Sequence, residues 1–341
     1  MSKISLAHGS GGVETQRLLE RLVINRLPAW MKKVENGLGL DFPDDAAAIP
    51  VKNGYLVSTI DAYTVSPIFF PGGDLGKLAA AGTINDLLML GARPLAVLDA
   101  IIVEEGTAMD DLARLVDSMI AVLRGEGVCL IGGDIKVMPK GQLDGVLITT
   151  AGLGFASKLI VDNNIKPGDK IIATGPLGVH GAAIFAAQQR IFSHEFRSDV
   201  KPLTKILLPL IERYIEGIHA ARDPTRGGAA MVLNDWARGS DVMLVVYESE
   251  LPLPEPVVNL CEMLGVDPMT LASEGAALLA VSPEIVNDVL NTLYENGCGE
   301  ARVIGEAREK ASSIGVVVLK TLVGGARILE PPSGEIVPRI C

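Results

Sequence analysis

The chain has few aromatic residues, no excess of basic charge, no paired cysteines and no long apolar run. Phe, Trp and Tyr make up only 4% of its 341 residues, whereas glycine alone contributes 37. That balance suits an α/β protein with close backbone packing. The net charge of -11 lacks the basic footprint that a phosphate backbone demands, which excludes a general nucleic-acid binder. The four cysteines, Cys129, Cys261, Cys298 and Cys341, stand far apart, and no pair has the CxxC spacing of a zinc site. No apolar stretch is long enough to span a bilayer, and the opening MSKISLAHGSGG lacks the apolar core of a signal peptide. These absences lead to the expectation of a cytoplasmic protein with free thiols and no membrane partner.

What is present is material for two cores. Apolar residues reach 48%, and the length suits two ordinary domains. Helical spacing of Leu18, Leu19, Leu22, Val23 and Ile24 predicts a helix over 13–33. A strand is expected at 55–60. Asp74 reads as the N-cap of a helix that Gly91 closes. A strand at 93–103, a helix at 109–124, a buried strand at 128–131 and a strand at 143–155 follow. The polar, turn-rich 162–169 marks the boundary between a first domain, 1–160, and a second, 161–320. In the second, strands at 170–173, 242–247, 301–304 and 314–319 mix with helices from about 179, 203 and 225. Neither half has the regular βαβ rhythm of a Rossmann sheet. Residues 321–341 form a separate arm. Its last stretch, with three prolines and one glycine, is a poor helix and a poor central strand. It reads as a flexible extended arm presenting Cys341, and a swinging thiol can carry an acyl-type group.

The first half repeatedly sets Asp at a loop or strand edge: Asp44-Asp45, Asp61, Asp86 and Asp134. Converging carboxylates repel unless a cation lies between them, and Mg²⁺ bridging carboxylates and nucleotide phosphates is the natural filling. Each Asp taken alone reads first as a cap or turn residue, and spacing alone does not show that the set converges. His8-Gly9-Ser10-Gly11-Gly12 opens a helix, where consecutive N–H groups can cradle phosphate, although it lacks the P-loop pattern. Lys77 sits in a first helical turn, an unfavourable end for a cation, which suggests that it answers an anion. Arg226, in DPTRGG, is a second candidate phosphate contact. His180 stands at a turn into a helix, where a capping role and a catalytic one are both open. Glu274 lies in an apolar stretch, where a raised pKa would suit a general base and a side chain simply pointing out of a turn is also open.

Read together, HGSGG at 8–12, Asp44-Asp45, IDAYTVSPIFFPGGDLGKLAAAGTINDLLMLGARP at 60–94, GGDIKV at 132–137, HG at 180–181, RDPTRGG at 222–228, SEG at 273–275 and the closing PRIC resemble the aminoimidazole-ribonucleotide synthetase-like (PurM-like) superfamily. Within it they look like the HypE family of [NiFe]-hydrogenase maturation factors. The resemblance implies a two-domain α/β protein of α+β type, with a C-terminal α/β sandwich, that dimerises through its N-terminal domains and uses ATP and Mg²⁺. It implies a HypF-like partner that carbamoylates Cys341, dehydration of that group to a thiocyanate by way of ATP, and delivery of cyanide to iron held by a HypC–HypD-like complex. It further implies Asp45, Asp61, Asp86 and Asp134 as metal ligands. Lys77, Asp86, Asp134, Gly9, Gly11, Gly12 and Arg226 would bind nucleotide, and Glu274 and His180 would join Cys341 in catalysis. Ala62, Ile135, Val179 and Ala276 depart from the family pattern. Alternatives are another ATP-using relative such as a thiamine-phosphate kinase, or a carrier without turnover.

Overall fold

The computed structural model describes residues 3–191, 194–310 and 313–334. The first segment forms α1 (Val13–Leu22), a 3-10 turn (Ile24–Arg26) and α2 (Ala29–Lys32). A single helix over 13–33 does not form. Val23 leaves the helical region at φ -121 and ψ -70. Pro28 then holds Leu27 extended at φ -85 and ψ 132, as the residue before a proline prefers.

The first half continues with β1 (Ala47–Val51), β2 (Gly54–Tyr63), a small hairpin of β3 (Phe69–Phe70) and β4 (Gly73–Asp74), α3 (Leu75–Met89), β5 (Arg93–Glu104), α4 (Met109–Glu126), β6 (Cys129–Met138) and β7 (Val146–Ala156). Its sheet runs β1-β2-β7-β5-β6. Every pairing is antiparallel except β5 with β6. Asp74 caps α3, its carboxylate accepting the Lys77 N–H at 2.9 Å, and Gly91 closes the turn at φ +77. Every residue of α3 except Lys77 is buried, because the helix lies against β2, β5 and β7 on one side and α4 and α6 on others. The expected buried strand at 128–131 is different in kind. It continues through Gly132-Gly133-Asp134 to Met138 as the outermost strand, and none of its residues is buried. An edge strand has one neighbour, so its side chains lack cover on the open side.

The second half contributes β8 (Lys170–Ala173), α5 (Val179–Gln188), α6 (Thr204–Tyr214), β9 (Ile218–Arg222), α7 (Gly228–Gly239), β10 (Met243–Tyr247), α8 (Glu255–Leu264), β11 (Leu278–Val281), α9 (Val286–Glu295), β12 (Arg302–Arg308), β13 (Val316–Lys320) and β14 (Ala326–Ile328). The order of its sheet is β14-β13-β10-β12-β8-β11-β9. One hydrophobic cluster joins the halves. Ile84, Leu88 and Met89 of α3 and Met119 of α4 share it with Leu207 and Leu210 of α6 and Leu293 of α9.

The arm begins as fixed structure. β14 pairs with β13, Leu329 is buried, and Asn234 Nδ2 donates to its carbonyl at 2.9 Å. The chain then crosses the start of α1. Val13 N–H donates to the Pro332 carbonyl at 3.2 Å. Gly334 N–H donates to Glu14 Oε2 at 3.0 Å, and Ser10 Oγ donates to the Gly334 carbonyl at 3.1 Å. Cys341 lies outside the described residues.

Candidate active site

A cleft between the halves is lined by Asp61, Ala62 and Tyr63 of β2, Gly82 and Asp86 of α3, Thr225 and Arg226 ahead of α7, and Glu274 ahead of β11. Three residues singled out in the sequence as acids, Asp61, Asp86 and Glu274, therefore meet here with Arg226. Asp86 is held on the buried helix α3. Thr59 Oγ1 lies 2.8 Å from Asp86 Oδ2 and 3.0 Å from the Asp45 carbonyl. One hydroxyl proton serves two acceptors, so the Asp86 carboxylate is incompletely satisfied. Burial, then the charges of Asp61, Asp223 and Asp45, push its pKa well up.

Glu274 is buried, and its Oε2 has no hydrogen-bond partner. Burial first, then Asp223, Asp199 and Asp61, hold its pKa well above the usual carboxylate range, opposed by Arg226. Arg226 Nη2 reaches Asp61 Oδ1 at 3.4 Å. The glycine loop packs against this arginine. A Cβ on Gly11, whose φ is +82, would stand 2.2 Å from Arg226 Cβ, so only glycine permits the approach. Gly12 is the N-cap of α1, and Gly9 ends the short helix before it. Several N–H groups of the loop are engaged within the chain, His8 to the Ser5 carbonyl at 3.1 Å, Ser10 to the Ala7 carbonyl at 3.4 Å and Gly11 to Thr15 Oγ1 at 2.9 Å, and the next residue, Val13, donates to Pro332.

Asp45 sits beside the cleft in a second cluster. Arg222 lies 3.2 Å from Asp45, 3.8 Å from Asp44, 2.8 Å from Asp162 and 3.3 Å from Asp235. Asp45 Oδ2 remains without a partner. One guanidinium faces four carboxylates, and the pKa of Asp45 is pushed well up by burial in spite of it. Asp223, whose Oδ2 is also unpartnered, is driven to about 7 by burial and by Asp61.

Asp134 is not brought to this place within one chain. It pairs in register with Ala100, which pairs with Thr149, which pairs with Ala62. Three strand spacings put it about 14 Å from β2. Residue alternation also sets it on the sheet face opposite Asp61. Its Oδ1 accepts the Ile135 N–H at 2.9 Å.

His180 is fully buried under the β3–β4 hairpin, outside the cleft lining. Its Nδ1 lies 2.7 Å from Ser198 Oγ, and its ring stands edge-on to Phe70 with centroids 5.5 Å apart. Burial lowers its pKa to about 3, so it is neutral and a poor proton acceptor. Lys77 turns to the same hairpin, with Nζ donating to the Gly72 carbonyl at 3.0 Å, and burial lowers its pKa.

Four residues of this region carry no signal in the sequence reading: Thr59, Arg222, Asp199 and Ser198. The RDPTRGG motif contains Arg222, but its four carboxylate partners come from three other segments. Asp199 accepts from the N–H groups of Glu274 and Gly275, across a gap in sequence that no spacing rule bridges.

Whether this donor set fits Mg²⁺ is a matter of its chemistry. Among the described residues no three ligand-type side chains close into a ready cage. Mg²⁺ commonly takes one or two carboxylates and fills its octahedron with phosphate oxygens and water. The orphaned Asp45 Oδ2 and Asp223 Oδ2 and the upward pKa shifts mark a site short of positive charge. The residues fit the ion when it comes with a polyphosphate.

This architecture defines a class. The family model for the AIR synthase related protein N-terminal domain matches residues 43–156, and that for the C-terminal domain matches 166–318. The chain belongs to the HypE family within that class. It is 38% identical to the carbamoyl dehydratase HypE of Rhizobium leguminosarum bv. viciae over 99% of this chain and 95% of that one. It is similar to HypE in a HypE–HypF complex, at TM-score 0.84 and 35% identity, covering 92% of this chain and 99% of that one. It is similar to a hydrogenase maturation protein HypE in complex with ATP, at TM-score 0.81 and 36% identity, covering 99% and 100%. A thiamine monophosphate kinase from Aquifex aeolicus shares the fold alone, at TM-score 0.60 and 17% identity over 81% of this chain and 90% of that one.

Proposed function

We propose that this chain is an ATP-dependent dehydratase of an S-carbamoyl group carried on its own Cys341, and that it supplies cyanide for the iron of [NiFe]-hydrogenase. The carrying observation is the Glu274 carboxylate, its Oε2 without a hydrogen-bond partner, in a cleft shared with Asp61, Asp86 and Arg226. Its neighbourhood to the anchored arm adds support. Gly334 bonds Ser10, and the adjacent Gly11 touches Arg226. Cys341 is the seventh residue after Gly334, and seven residues span at most about 25 Å. The thiol can therefore reach the cleft while Gly334 stays docked.

The chemistry follows from the amide. Its oxygen is a poor leaving group, and transfer of the γ-phosphoryl group from ATP makes it a phosphate, which leaves well. Two N–H protons must also depart. Glu274, with its raised pKa, accepts one of them at the end of the cleft, and the other leaves on the departing phosphate. Arg226 answers phosphate charge, and Lys77, tied to the hairpin carbonyl, is the second cation toward it. When bound, Mg²⁺ would draw phosphate and carboxylate charge together, with Asp86, Asp61 and Asp45 the residues to hold it. His180, neutral and boxed in by Ser198 and Phe70, has a supporting place beneath the hairpin.

The first half, to about residue 160, is on this reading the nucleotide and dimer domain, and the second supplies Glu274 and Arg226. A homodimer is favoured by the apolar residues left on the open side of the first sheet. Ile60 on β2 and Leu98 on β5 flank Ala151 in one row and are 69% and 38% exposed. Such a face in an otherwise acidic protein calls for cover. Asp134 is also distant from its own cleft, and a second copy would bring another Asp134. A HypF-like carbamoyltransferase and a HypC–HypD-like iron carrier are the partners this reaction requires.

The test is intact-protein mass spectrometry with the HypF-like partner, carbamoyl phosphate and ATP. The chain should gain one carbamoyl group and then lose one water. Cys341→Ala should gain nothing, whereas Cys129→Ala, Cys261→Ala and Cys298→Ala should behave as the parent. Loading that survives Cys341→Ala sinks the proposal, and loading without water loss leaves a carrier only.

A further inference from the structure

Residues 198–203 form a crossbar between motifs that lie far apart in the chain. Ser198 N–H donates to the Pro71 carbonyl at 2.8 Å, and Ser198 Oγ meets His180 Nδ1 at 2.7 Å. Leu203 N–H donates to Asn85 Oδ1 at 2.8 Å, one residue from Asp86. In the middle stands Asp199. Its Oδ1 accepts the Glu274 N–H at 3.2 Å, and its Oδ2 accepts the Gly275 N–H at 3.0 Å. Lys201 N–H donates to the Glu274 carbonyl at 3.3 Å. Both backbone groups of Glu274 are thus held by one loop. The approach is close: a Cβ on Gly275 would stand 2.0 Å from the Asp199 carbonyl oxygen.

We propose that Asp199 is the positioning residue for Glu274, its two carboxylate oxygens gripping consecutive amides and so fixing the direction in which the Glu274 side chain enters the cleft. This rests on the reading of Glu274 as the base. A carboxylate is the group suited to the task. It offers two acceptors in one plane to two N–H donors that point the same way, and such charge-assisted bonds are the stronger kind. An amide would turn one NH₂ toward an N–H. The arrangement is costly to build, since burial pushes Asp199 up to about 6 even with both N–H groups and Lys201 pulling the other way. The negative charge it keeps next to Glu274 also helps to raise the pKa of that residue, which strengthens it as a proton acceptor.

The experiment uses the full chain carbamoylated at Cys341, in four forms: parent, Asp199→Asn, Glu274→Gln and the double variant. ATP affinity, carbamoyl loading and the single-turnover rate of water loss are read separately. Asp199→Asn should bind ATP and load as the parent does, yet lose water about a hundredfold more slowly, the scale expected when a reacting group is misplaced by about 1 Å. In the Glu274→Gln background it should add nothing. A parent-like rate in Asp199→Asn, with Glu274→Gln slow, overturns the inference and leaves the base assignment standing. A parent-like rate in Glu274→Gln removes the base assignment itself. Gly275→Ala, which disturbs the same contact from the other side, should reproduce the slow dehydration with unchanged ATP affinity. Hydrogen exchange on the parent protein needs no variant to fold: the amides of Glu274 and Gly275 should be protected, and exchange at open-loop rates overturns the inference.

Discussion

At the residue scale, the cleft holds more negative charge than its own cations answer, and Asp86 and Glu274 bear that in raised pKa values. Glu274 must be ionised to accept a proton. Since burial and three carboxylates raise its pKa, the dehydration rate should fall, as pH is lowered, at a pH well above the ordinary 4.5 of a glutamate. Glu274→Gln should still accept the carbamoyl group and bind ATP but accumulate the carbamoylated form, which mass spectrometry distinguishes by one water. Asp86 invites the companion test. Asp86→Asn preserves shape and, if Asp86 holds Mg²⁺ as proposed, should lose most ATP turnover through loss of charge there. The same change should raise the melting temperature of the ligand-free protein at pH 8. The sign follows from linkage. A carboxyl whose folded pKa lies above its unfolded value holds a proton in the folded state that the unfolded state has lost, so stability falls with rising pH between the two values. For Asp223, held at about 7, that loss runs from about pH 4 to about 7. Ligand-free protein should therefore melt lower at pH 8 than at pH 5.5, and Mg²⁺ with ATP should narrow the gap. A melting temperature indifferent to both would mean that these carboxyls are already compensated.

At the scale of elements, α3 was legible from its ends. Asp74 caps it and Gly91 closes it because both act through local backbone geometry, which sequence encodes directly. Its burial on all sides was not legible, because that depends on α6 and β9 arriving from the other half. The helix expected over 13–33 breaks first at Val23, where no Pro or Gly marks the sequence, and only the second break, at Leu27 before Pro28, is written in it. In the site, the acids on β2 and α3 and the glutamate ahead of β11 could be picked out singly. Their convergence with Arg226 could not, nor could the four carboxylates around Arg222, because ion pairs across domains leave no periodic trace. The arm shows the same limit. Prolines mark it as irregular, yet Leu329 to Gly334 is docked by Asn234, Val13, Glu14 and Ser10. Ser10→Ala with Glu14→Ala removes two of these bonds, each contributing about 1 kcal/mol. Hydrogen exchange at Gly334 should then quicken by roughly tenfold or more, with little change in global melting. Unchanged protection at Gly334 would show that Pro332 and Leu329 hold the arm unaided.

At the scale of the whole molecule, the two halves share one core, so they should unfold together. Leu88 of α3 is fully buried in that core, and Leu88→Ala should cost about 2–5 kcal/mol in a single calorimetric transition rather than in one of two. The position of Asp134 raises the larger question of how many chains make one site. Within a chain it lies on the outermost strand and on the wrong face for its own cleft. If a second copy covers the open sheet face, Asp134 of each protomer can serve the cleft of the other. Complementation separates the two arrangements. Asp134→Asn and Glu274→Gln should each be inactive alone in ATP-dependent water loss. When the two variants are unfolded, mixed and refolded, a mixed dimer would contain one cleft with an intact Glu274 facing an intact Asp134 from its partner. Random pairing makes about half the dimers mixed and one cleft in two complete, so about a quarter of parental activity should return. If Asp134 acted within its own chain, every cleft would lack one group and nothing would return. Ile60→Asp in the mixture, placing a charge on the apolar face, should abolish both the dimer in sedimentation and the recovered activity. Recovery that persists in a monomer would refute the shared site.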